Sequence, residues 1–372
     1  MSIIEFSEEQ AMLLDSAREF AKSESSIDLV RARLDEDRAI PTSVWRSIAE
    51  LGWTGIVIPE AHGGLGLGFS HLVPIVESLG RQLMASPLIW SSIAAHAITL
   101  SNNEVLQAQW LPPLANGAIG AMALMEQGGN WDLSAPGCTA TDDGNNLTLS
   151  GSKVFVEDAS IADFLLVSAL LDGKPGLILV ETSQIEPSQI EREVVIDETR
   201  RSFRIEFDGI QVPVSNLLGG VDFEEIELAA MLLLSAEMAG GHASALELIV
   251  EYLKTRKQFD KYIGSYQALK HPTVEILIGL EASRSHVYHA ANIFDKDAGD
   301  SRRLAVRMAK AVASQGMAFA GDRAIQFHGG FGFTYECDAQ LYLRRALWCQ
   351  QQFGDEVHQR TKLAPLILSA AS

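Results

Sequence analysis

The sequence predicts a mainly α-helical protein with a central β-domain. Apolar residues recur at helical spacing through residues 1–115, which indicates an N-terminal helical domain. Short alternating runs separated by Asp-Gly, Asn and Pro turns fill residues 116–220 and predict a middle antiparallel β-barrel domain. Long amphipathic segments return in residues 221–372 and predict a C-terminal helical bundle of the up-and-down kind.

The N-terminal domain carries helix start and stop signals. Ser7, with Gln10 three residues later, has the pattern of a capping box ahead of an apolar helical face. Pro41 begins a further helix that is expected to stop at Gly52. The glycine-rich stretch AHGGLGLG at 61–68 lacks the third glycine of a GxGxxG fingerprint, so we interpret it as a structural loop.

The two later domains follow from their periodicities. The middle domain contains the runs NLTLSGSKVFV, DFLLVSALL, GLILVE and RSFRIEFDGIQVP, whose short alternating patterns are typical of strands. The bundle helices are expected at 223–256, 265–295 and 302–327, lengths that also allow their faces to pack between subunits.

Composition and charge exclude several classes of protein. The chain has 372 residues, of which 47% are hydrophobic and 21% charged, as in an ordinary globular protein of two or three domains. A net charge of −19 argues against nucleic acid or an anionic membrane surface as partner. No apolar stretch reaches the ~18 residues of a membrane span, and the N-terminus does not resemble a signal peptide. Three cysteines without a CxxC pair fit reduced thiols, so we expect a cytoplasmic protein.

Common catalytic and metal-binding motifs do not occur in the sequence. There is no GxxxxGK[ST], GxSxG or HExxH, and no ExxH pair of the kind that builds a di-iron carboxylate site. His286 and His289 are three residues apart, but without a carboxylate motif we interpret them as surface or packing residues. No metal site is predicted.

The stretch from 321 to 355 contains a helix–Gly-Gly–helix break. Gly329 and Gly330 let backbone N–H groups approach a ligand without a Cβ in the way, although a tight interhelical turn explains an isolated GGxG as well. Gln326 and His328 bring two polar side chains to the same turn. These residues favour a ligand site at the break.

Several segments of the chain resemble the acyl-CoA dehydrogenase family. The segment LKTRKQFDKYIGSYQALKH at 253–271 is similar to the family's Arg-x-x-Phe-Gly pattern followed by a Phe/Tyr-Gln pair. The segment AIQFHGGFGFTYE at 324–336 resembles its Gln-x-x-Gly-Gly-x-Gly-Phe pattern. Three earlier stretches look like the family's N-terminal helices: FSEEQAMLLDSAREFA, LGWTGIVIPEAHGGLGLG and ESLGRQLMASPL. The resemblance spans essentially the whole chain.

This resemblance implies a fold and a reaction. The implied fold is an N-terminal helical domain, a middle β-barrel and a C-terminal four-helix bundle, associated as dimers or dimers of dimers. FAD would lie between the middle domain and the bundle, with its pyrophosphate and adenylate end reaching the neighbouring subunit. A carboxylate base would remove the α-proton of an acyl-CoA thioester while the β-hydrogen leaves as hydride to the flavin. The implied electron acceptor is an electron-transfer flavoprotein.

The residues that match the distal half of the family's FAD site are present. Arg256 stands where the family's arginine meets the FAD pyrophosphate of the adjoining subunit, and Asp260 replaces the glycine of the same motif. By this resemblance, the expected cofactor-binding residues are Arg256, Phe259, Gln267, Gln326, Gly329 and Gly330.

The half of the site that meets the flavin ring departs from the family. MEQGGNWD aligns with Thr-Glu-Pro-x-x-Gly-Ser-Asp, so Glu126 and Asp132 remain while Met125 and Trp131 replace a threonine and a serine. Glu157 stands where the family has a hydroxyl beside the flavin N5 edge. A carboxylate there is expected to repel the anionic reduced flavin, and it cannot reproduce a neutral O–H donor.

Neither of the family's two positions for the catalytic base carries a carboxylate. Phe353, followed by Gly354, falls on the usual position, and Ala230 falls on the alternative one. Asp355 and Glu237 are the nearest candidates, but solvated or capping carboxylates are the more common outcome for such residues. The catalytic base is therefore unknown, with Asp355 as a weak candidate.

Three functions remain open. The first, favoured by intact distal FAD residues beside a missing base, is the shorter subunit of a heteromeric bacterial acyl-CoA dehydrogenase that completes the FAD site of a homologous catalytic subunit. The second is a self-associating, homo-oligomeric dehydrogenase with a displaced base such as Asp355. The third is a flavin-free scaffold or acyl-CoA-binding protein. Heteromeric members often act on bulky thioesters, so the resemblance also implies fatty-acid or sterol side-chain oxidation.

Overall fold

The N-terminal part of the protein is helical, as predicted. The computed structural model describes residues 7–370, with side chains described up to residue 368. The helices of this part are α1 (Glu8–Glu24), α2 (Ile27–Ala32), α3 (Thr42–Glu50), α4 (Phe69–Arg81), α5 (Leu88–Leu100) and α6 (Glu104–Ala115). The predicted capping box is confirmed, because the Ser7 hydroxyl accepts from the Gln10 N–H and the Gln10 side chain accepts from the Ser7 N–H, both at 3.1 Å. Gly52 follows α3 with φ of 76°, as a helix-ending glycine should.

The middle part contains strands, but it is not an antiparallel barrel. Its strands are β1 (Gly120–Ala123), β2 (Thr139–Asp142), β3 (Asn146–Ser150), β4 (Ser152–Glu157), β5 (Phe164–Leu171), β6 (Lys174–Glu181), β7 (Ile190–Glu193), β8 (Ser202–Glu206), β9 (Gln211–Pro213) and β10 (Leu217–Leu218). A mixed sheet has the order β10-β6-β5-β2-β3-β9, with β1 also beside β5, and a separate antiparallel sheet has the order β4-β8-β7.

The prediction of an antiparallel barrel is therefore wrong in its topology. Strands β1 and β2 both run parallel to β5, which pairs with β1 along its first half and with β2 near its end. Residues 164–169 of β5 are all buried, a continuous apolar run typical of a strand covered on both faces. The alternating pattern of the other strands indicates which face is buried, but it does not indicate strand direction.

The C-terminal part contains three long helices and two shorter ones. Helices α7 (Phe223–Thr255), α8 (Gln267–Lys296) and α9 (Asp300–His328) confirm the three predicted segments to within a few residues. A two-stranded hairpin of β11 (Lys257–Gln258) and β12 (Lys261–Tyr262) joins α7 to α8, and α10 (Ala339–Gln351) and α11 (Glu356–Ala370) complete the described chain. Helix α9 contacts α7, α8, α10 and α11, so it is the helix around which the C-terminal helices pack.

Helix α7 passes through the centre of the molecule and crosses α4 at glycines. A Cβ on Gly240 would lie 1.9 Å from the Glu77 carbonyl oxygen, and a Cβ on Gly80 would lie 2.4 Å from the Glu237 carbonyl oxygen. Only glycine permits this approach of the two backbones. The crossing fixes the middle of α7, including Glu237, in the protein interior.

The remaining structural expectations concern thiols, membranes and metals. Cys138, Cys337 and Cys349 are buried and form no disulfide. Within residues 7–370, no helix is both long and apolar enough to cross a membrane. In the same described part of the chain, His, Cys, Asp and Glu side chains form no group of three that could hold a metal ion.

Candidate cofactor and catalytic site

A surface groove of about 720 Å³, which we call the distal groove, lies where the end of α7 meets the end of α9. Arg256, Phe259, Gly329 and Gly330 all line it, so the structure brings together four of the six predicted cofactor residues. Gly329 has φ of 61°, and nothing lies within 4 Å of a Cβ built on Gly329 or Gly330. The groove therefore presents open backbone next to an exposed guanidinium, the combination that suits a phosphate-bearing ligand.

The other two predicted residues lie beside this groove. Gln267 is exposed in the first turn of α8, next to Ala268 of the groove wall. Gln326 is exposed in the last turn of α9, next to the buried Phe327. Within the groove lining, the His328 ring stacks on the Tyr252 ring with 4.1 Å between ring centroids. The buried His328 also bonds through Nδ1 to the Ala324 carbonyl at 2.7 Å.

The α7–α8 hairpin holds Phe259 away from the body of the chain. Phe259 and Asp260 form its tip with φ of 53° and 60°, and Phe259 is 86% exposed. Two consecutive positive φ angles are the geometry of a tight hairpin turn, which normally selects Asn-Gly or Asp-Gly. Here two non-glycine residues adopt it, and the large apolar side chain contacts solvent.

A second cavity, of about 410 Å³, lies between the β-domain and α10. We call it the ring cavity, because its lining includes the positions that the resemblance places against the flavin ring. Its walls include the side chains of Met125, Trp131, Phe155 and Trp348. Phe155 and Trp348 meet edge to face with centroids 5.6 Å apart. The cavity is thus a slot with largely apolar walls that include three aromatic rings, within the size range of small-molecule sites.

Glu126 lines the ring cavity but is fully engaged by its own loop. Its carboxylate accepts from the N–H groups of Gly137 and Cys138 at 2.6 and 2.9 Å, and from the buried Lys153 ammonium at 2.6 Å. Burial acts to raise the pKa of Glu126, but the Lys153 and backbone hydrogen bonds outweigh it and lower that pKa. Glu126 is therefore an ionised loop anchor. Asp132 likewise closes a local turn, accepting from the Ser134 hydroxyl at 2.6 Å.

Glu157 is directed into the protein, behind the wall of the ring cavity. One carboxylate oxygen accepts from the Trp348 indole N–H at 3.1 Å, and the other accepts from Arg200. The residue is 5% exposed. The resemblance places this carboxylate next to the flavin edge, whereas in the structure a guanidinium pairs with its charge and each of its oxygens accepts a hydrogen bond from within the protein.

Glu157 belongs to a buried ionic cluster that links the β-domain to α7 and α10. We call it the charge cluster; its members are Glu157, Asp197, Arg200, Glu237 and Arg345. Glu237 accepts from Arg200 on one oxygen and from Arg345 on the other, each at 2.5 Å. Arg345 also bonds to Asp197, to the Thr199 hydroxyl at 2.5 Å and to the Leu83 carbonyl at 3.2 Å.

Both guanidiniums of the charge cluster are held in their charged form. Burial alone would lower the pKa of Arg200, but Glu157 and Glu237 raise it well above its ordinary value. Burial acts to raise the pKa of Asp197, and Arg345 and Arg200 reverse this and lower it. Glu237 is buried and both of its oxygens are bonded to cations, so its carboxylate is not presented to a substrate.

The usual base position is packed as core. Phe353 is 1% exposed, has φ of 57°, and lies 6.3 Å from the buried Trp90 ring between centroids. Ala230, at the alternative position, is completely buried. Asp355 accepts from the His358 N–H at 2.8 Å, the bond of a residue that caps α11. Neither base position therefore offers an unengaged carboxylate.

Lys310 fixes the turn that carries Phe353. Its buried ammonium donates to the carbonyls of Gln350 and Gly354, both at 3.0 Å, and to the Ser314 hydroxyl at 3.1 Å. Burial lowers the pKa of Lys310 to about 8. The turn after α10 is thus tied to α9 at both ends.

Sequence reasoning missed the two arginines of the charge cluster. Arg200 lies in the ETRR run of an irregular segment, where charged residues are usually solvated, and Arg345 follows another arginine in LRRALW. The sequence contains one indication of this cluster. Glu237 interrupts the largely apolar segment from Leu232 to Ala239, and a buried carboxylate at such a position needs a buried cation. The sequence does not identify which cation.

Comparison with known proteins identifies the family. Residues 7–118 match the family model "Acyl-CoA dehydrogenase, N-terminal domain", and residues 230–365 match "Acyl-CoA dehydrogenase, C-terminal domain". The chain is 32% identical to "Acryloyl-CoA reductase (NADH)" of Anaerotignum propionicum over 369 residues, covering 94% of this chain and 92% of that protein. The chain belongs to the acyl-CoA dehydrogenase family.

Two further members of the acyl-CoA dehydrogenase family are similar to this chain along nearly their whole length. "Acyl-CoA dehydrogenase IpdE2" of Mycobacterium tuberculosis is 30% identical over 341 residues, covering 91% of each chain. The solved structure of a variant of the "Tcur3481-Tcur3483 steroid ACAD" has a TM-score of 0.88 and 30% identity, covering 98% of this chain and 99% of the other. The helical, β, helical order is therefore the family's own.

The acyl-CoA dehydrogenases are FAD-dependent oxidoreductases, and the two halves of this chain's site fit FAD unequally. The groove at Gly329 and Gly330 leaves room that a Cβ would reduce, and Arg256 supplies a guanidinium suited to a pyrophosphate. The ring cavity has largely apolar walls, but Glu126 in its lining and Glu157 behind its wall are both bonded to cations of the protein. The distal half fits the cofactor better than the ring half does.

Proposed function

We propose that this chain is the base-lacking subunit of a two-component acyl-CoA dehydrogenase and completes the FAD site of a homologous catalytic subunit. The observation that carries the proposal is a contrast within one chain. Phe353 fills the base position as buried core, while Arg256, Gly329 and Gly330 remain open at the surface. The part of the site that would contact a neighbour's cofactor is preserved, and the part that would carry out proton abstraction is not.

The chemistry defines what the partner must supply. Desaturation of an acyl-CoA requires a carboxylate that removes the α-proton and a flavin that accepts the β-hydride. In this chain, Arg256 and the N–H groups at Gly329 and Gly330 would bind the pyrophosphate end of FAD. The base and the surroundings of the reacting thioester would come from the homologous subunit, with an electron-transfer flavoprotein as acceptor.

Two features support association with a homologue. Phe259, which lines the distal groove, is 86% exposed, and Phe333, shortly after Gly329 and Gly330 in the chain, is 81% exposed. Aromatic residues that become buried on association are typical anchors of stable interfaces. The similar structure of the "Tcur3481-Tcur3483 steroid ACAD" has two components in its name. By analogy, the substrate proposed here is a fatty or steroid-derived acyl-CoA thioester.

The direct test is the flavin absorbance spectrum of this chain, purified alone and after co-expression with a homologous subunit that has glutamate at the aligned base position. We expect a colourless chain alone and a yellow complex with one FAD per pair of chains. A yellow chain that is bleached by an acyl-CoA in the absence of a partner would contradict the proposal.

A self-sufficient homo-oligomer is the second candidate, and the position of Asp355 is the observation that favours it. Asp355 is half-buried and follows directly after the turn of Phe353 and Gly354. Asp355→Asn keeps the shape of the side chain and one acceptor oxygen for the α11 cap. Turnover of the assembled enzyme should change less than about twofold if the partner supplies the base, whereas a general base contributes about 10²–10⁴-fold. A collapse of turnover would favour the homo-oligomer.

A further inference from the structure

His328 lines the distal groove, but it is not among the six residues that the resemblance assigns to FAD. It is the last residue of α9 and directly precedes Gly329 and Gly330. The residue is only 5% exposed, so packing fixes the place of its ring in the groove lining. A buried imidazole in such a lining needs a polar partner for each of its two nitrogens.

The hydrogen bonding of His328 leaves one ring nitrogen for a ligand. Nδ1 lies 2.7 Å from the Ala324 carbonyl oxygen, which only accepts, so Nδ1 carries a proton and donates it. The Tyr252 ring orients the imidazole by stacking on it at an interplanar angle of 29°. Among the described residues, Nε2 has no hydrogen-bond partner. A ligand in the distal groove supplies the partner that Nε2 lacks.

The charges of the distal groove favour an anion as that ligand. Although the chain has a net charge of −19, no residue in the groove lining that the structure describes has a carboxylate. The Arg256 guanidinium of α7 is exposed and forms no salt bridge within the described residues. The other titratable groups of the lining are the phenols of Tyr252 on α7 and Tyr266 before α8. Phe331 of the following turn is uncharged, and Asp260 lies outside the lining at the hairpin tip.

A diphosphate needs more positive charge than Arg256 alone provides. The pyrophosphate of a dinucleotide carries one negative charge on each phosphate, and one guanidinium balances one of them. A protonated His328 is the second cation that the groove lining offers, and its Nε2–H then donates a charge-assisted hydrogen bond. The last turn of α9 favours this protonated form, because the C-terminal end of a helix dipole stabilises a cation. Neutral His328 has only a lone pair at Nε2, which cannot bond to a phosphate oxygen.

We propose that His328 is a second, pH-dependent binding residue for the diphosphate of a dinucleotide in the distal groove. This inference rests on the proposed function, in which the groove binds the pyrophosphate end of the partner's FAD. Arg256 supplies a positive charge at every physiological pH, whereas His328 supplies one only when its imidazole is protonated. Binding of the diphosphate is therefore coupled to uptake of a proton, and the affinity rises as the pH falls.

The test uses ADP-ribose, which has the diphosphate and the adenosine of FAD but no flavin, titrated by calorimetry into this chain alone at pH 6 and pH 8. We expect the affinity of the wild type to be about three- to tenfold higher at pH 6, the effect of one added hydrogen bond to a charged group at the protein surface. His328→Gln keeps a polar side chain but gains no charge, so its affinity should be equal at both pH values. A wild type that binds equally at both pH values or not at all, or a His328→Gln variant that keeps the rise, would overturn the inference.

Two matched variants show whether the pH dependence belongs to His328. His271→Gln removes an exposed histidine of α8 that does not line the distal groove, so it should keep the pH dependence of the wild type. Arg256→Gln removes the permanent cation, so it should weaken binding at both pH values and keep the ratio between them. Thermal unfolding midpoints establish that each variant is folded. Should His328→Gln not fold, loss of the pH dependence in Arg256→Gln or in His271→Gln still overturns the inference.

The titration of this chain alone requires neither a partner subunit nor a catalytic base, so its failure is distinguishable from failure of the proposed function. Flavin content and subunit composition of the co-expressed complex report on the two-component proposal. In that complex, FAD should be lost on dialysis more slowly at pH 6 than at pH 8, and His328→Gln should abolish the difference. An FAD-loaded wild-type complex with equal retention at both pH values would overturn the role of His328 and leave the two-component proposal standing.

Discussion

The charge cluster provides the most demanding test of the structure, through Arg345→Met. Arg345 is completely buried, and its guanidinium bonds to Asp197, Glu237, Thr199 and the Leu83 carbonyl. Methionine replaces most of its volume but none of its donors. The three buried carboxylates of the cluster would then share Arg200 as their one remaining cation within it.

The expected magnitude follows from the charge of the cluster. Three carboxylates and two guanidiniums give it a net charge of −1. Arg345→Met makes that charge −2, and removing one partner from a buried ion pair costs about 3–5 kcal/mol. Glu237→Gln makes the charge zero and leaves one acceptor oxygen, so we expect the smaller cost of about 1–3 kcal/mol for an unsatisfied buried group. The order of the two costs is the central prediction.

The assay is urea unfolding at neutral pH, followed by circular dichroism. The free energies of unfolding are compared between variants whose dependence on urea concentration has the same slope. Arg192→Met is the matched control, because Arg192 is an exposed arginine whose nearest carboxylate, Asp37, lies 3.8 Å away, and such pairs contribute at most about 1 kcal/mol. The reasoning is refuted if Arg345→Met is no more destabilising than Arg192→Met, or if Glu237→Gln is more destabilising than Arg345→Met.

Three further predictions test other parts of the chain. Burial lowers the pKa of Lys310 from 10.5 to about 8, so between pH 8 and 10 the unfolded chain binds a proton that the folded chain has lost. The free energy of unfolding of the wild type should therefore rise over this pH range relative to that of Lys310→Met, and equal pH profiles would contradict this. In Gly240→Ala the new Cβ would lie 1.9 Å from a carbonyl oxygen of α4, so this variant should be destabilised by about 1–3 kcal/mol or more. In Gly279→Ala the nearest atom to the new Cβ, on the His242 ring, is 3.4 Å away, so this variant should be stabilised by up to about 1 kcal/mol. The denaturation midpoints of the two variants test this difference. Arg256→Ala should weaken FAD retention in the assembled complex by about 2–4 kcal/mol, measured by equilibrium dialysis, while Lys254→Ala, an exposed cation at the same helix end, should not.

The sequence predicts the helical elements well for a physical reason. An amphipathic helix repeats its pattern over many turns, so α7, α8 and α9 are found to within a few residues. Strand direction has no such signature, and the parallel pairing of β1 and β2 with β5 depends on crossovers between distant segments.

The candidate site also has one part that the sequence predicts and one part that it does not. The distal groove is built from two short segments whose residues are close in sequence, Arg256 with Phe259 and Gly329 with Gly330, so a motif suffices to predict it. The charge cluster joins Glu157, Glu237 and Arg345 from three elements far apart in the chain. Tertiary packing decides those pairings, and a single sequence does not record it.

The conformation of the hairpin between α7 and α8 is poorly accounted for by contacts within a single chain. Phe259 and Asp260 both have positive φ, which costs about 1–2 kcal/mol for each non-glycine residue. The result is a phenylalanine 86% exposed to water, so its own side chain contributes little packing within the described chain to offset that strain. A homologous subunit that buries Phe259 would contribute about 1.5–3 kcal/mol, comparable to the cost of the turn. The hairpin is therefore expected to be under strain in the free chain and compensated on association, which is the state in which Arg256 would contact the partner's FAD.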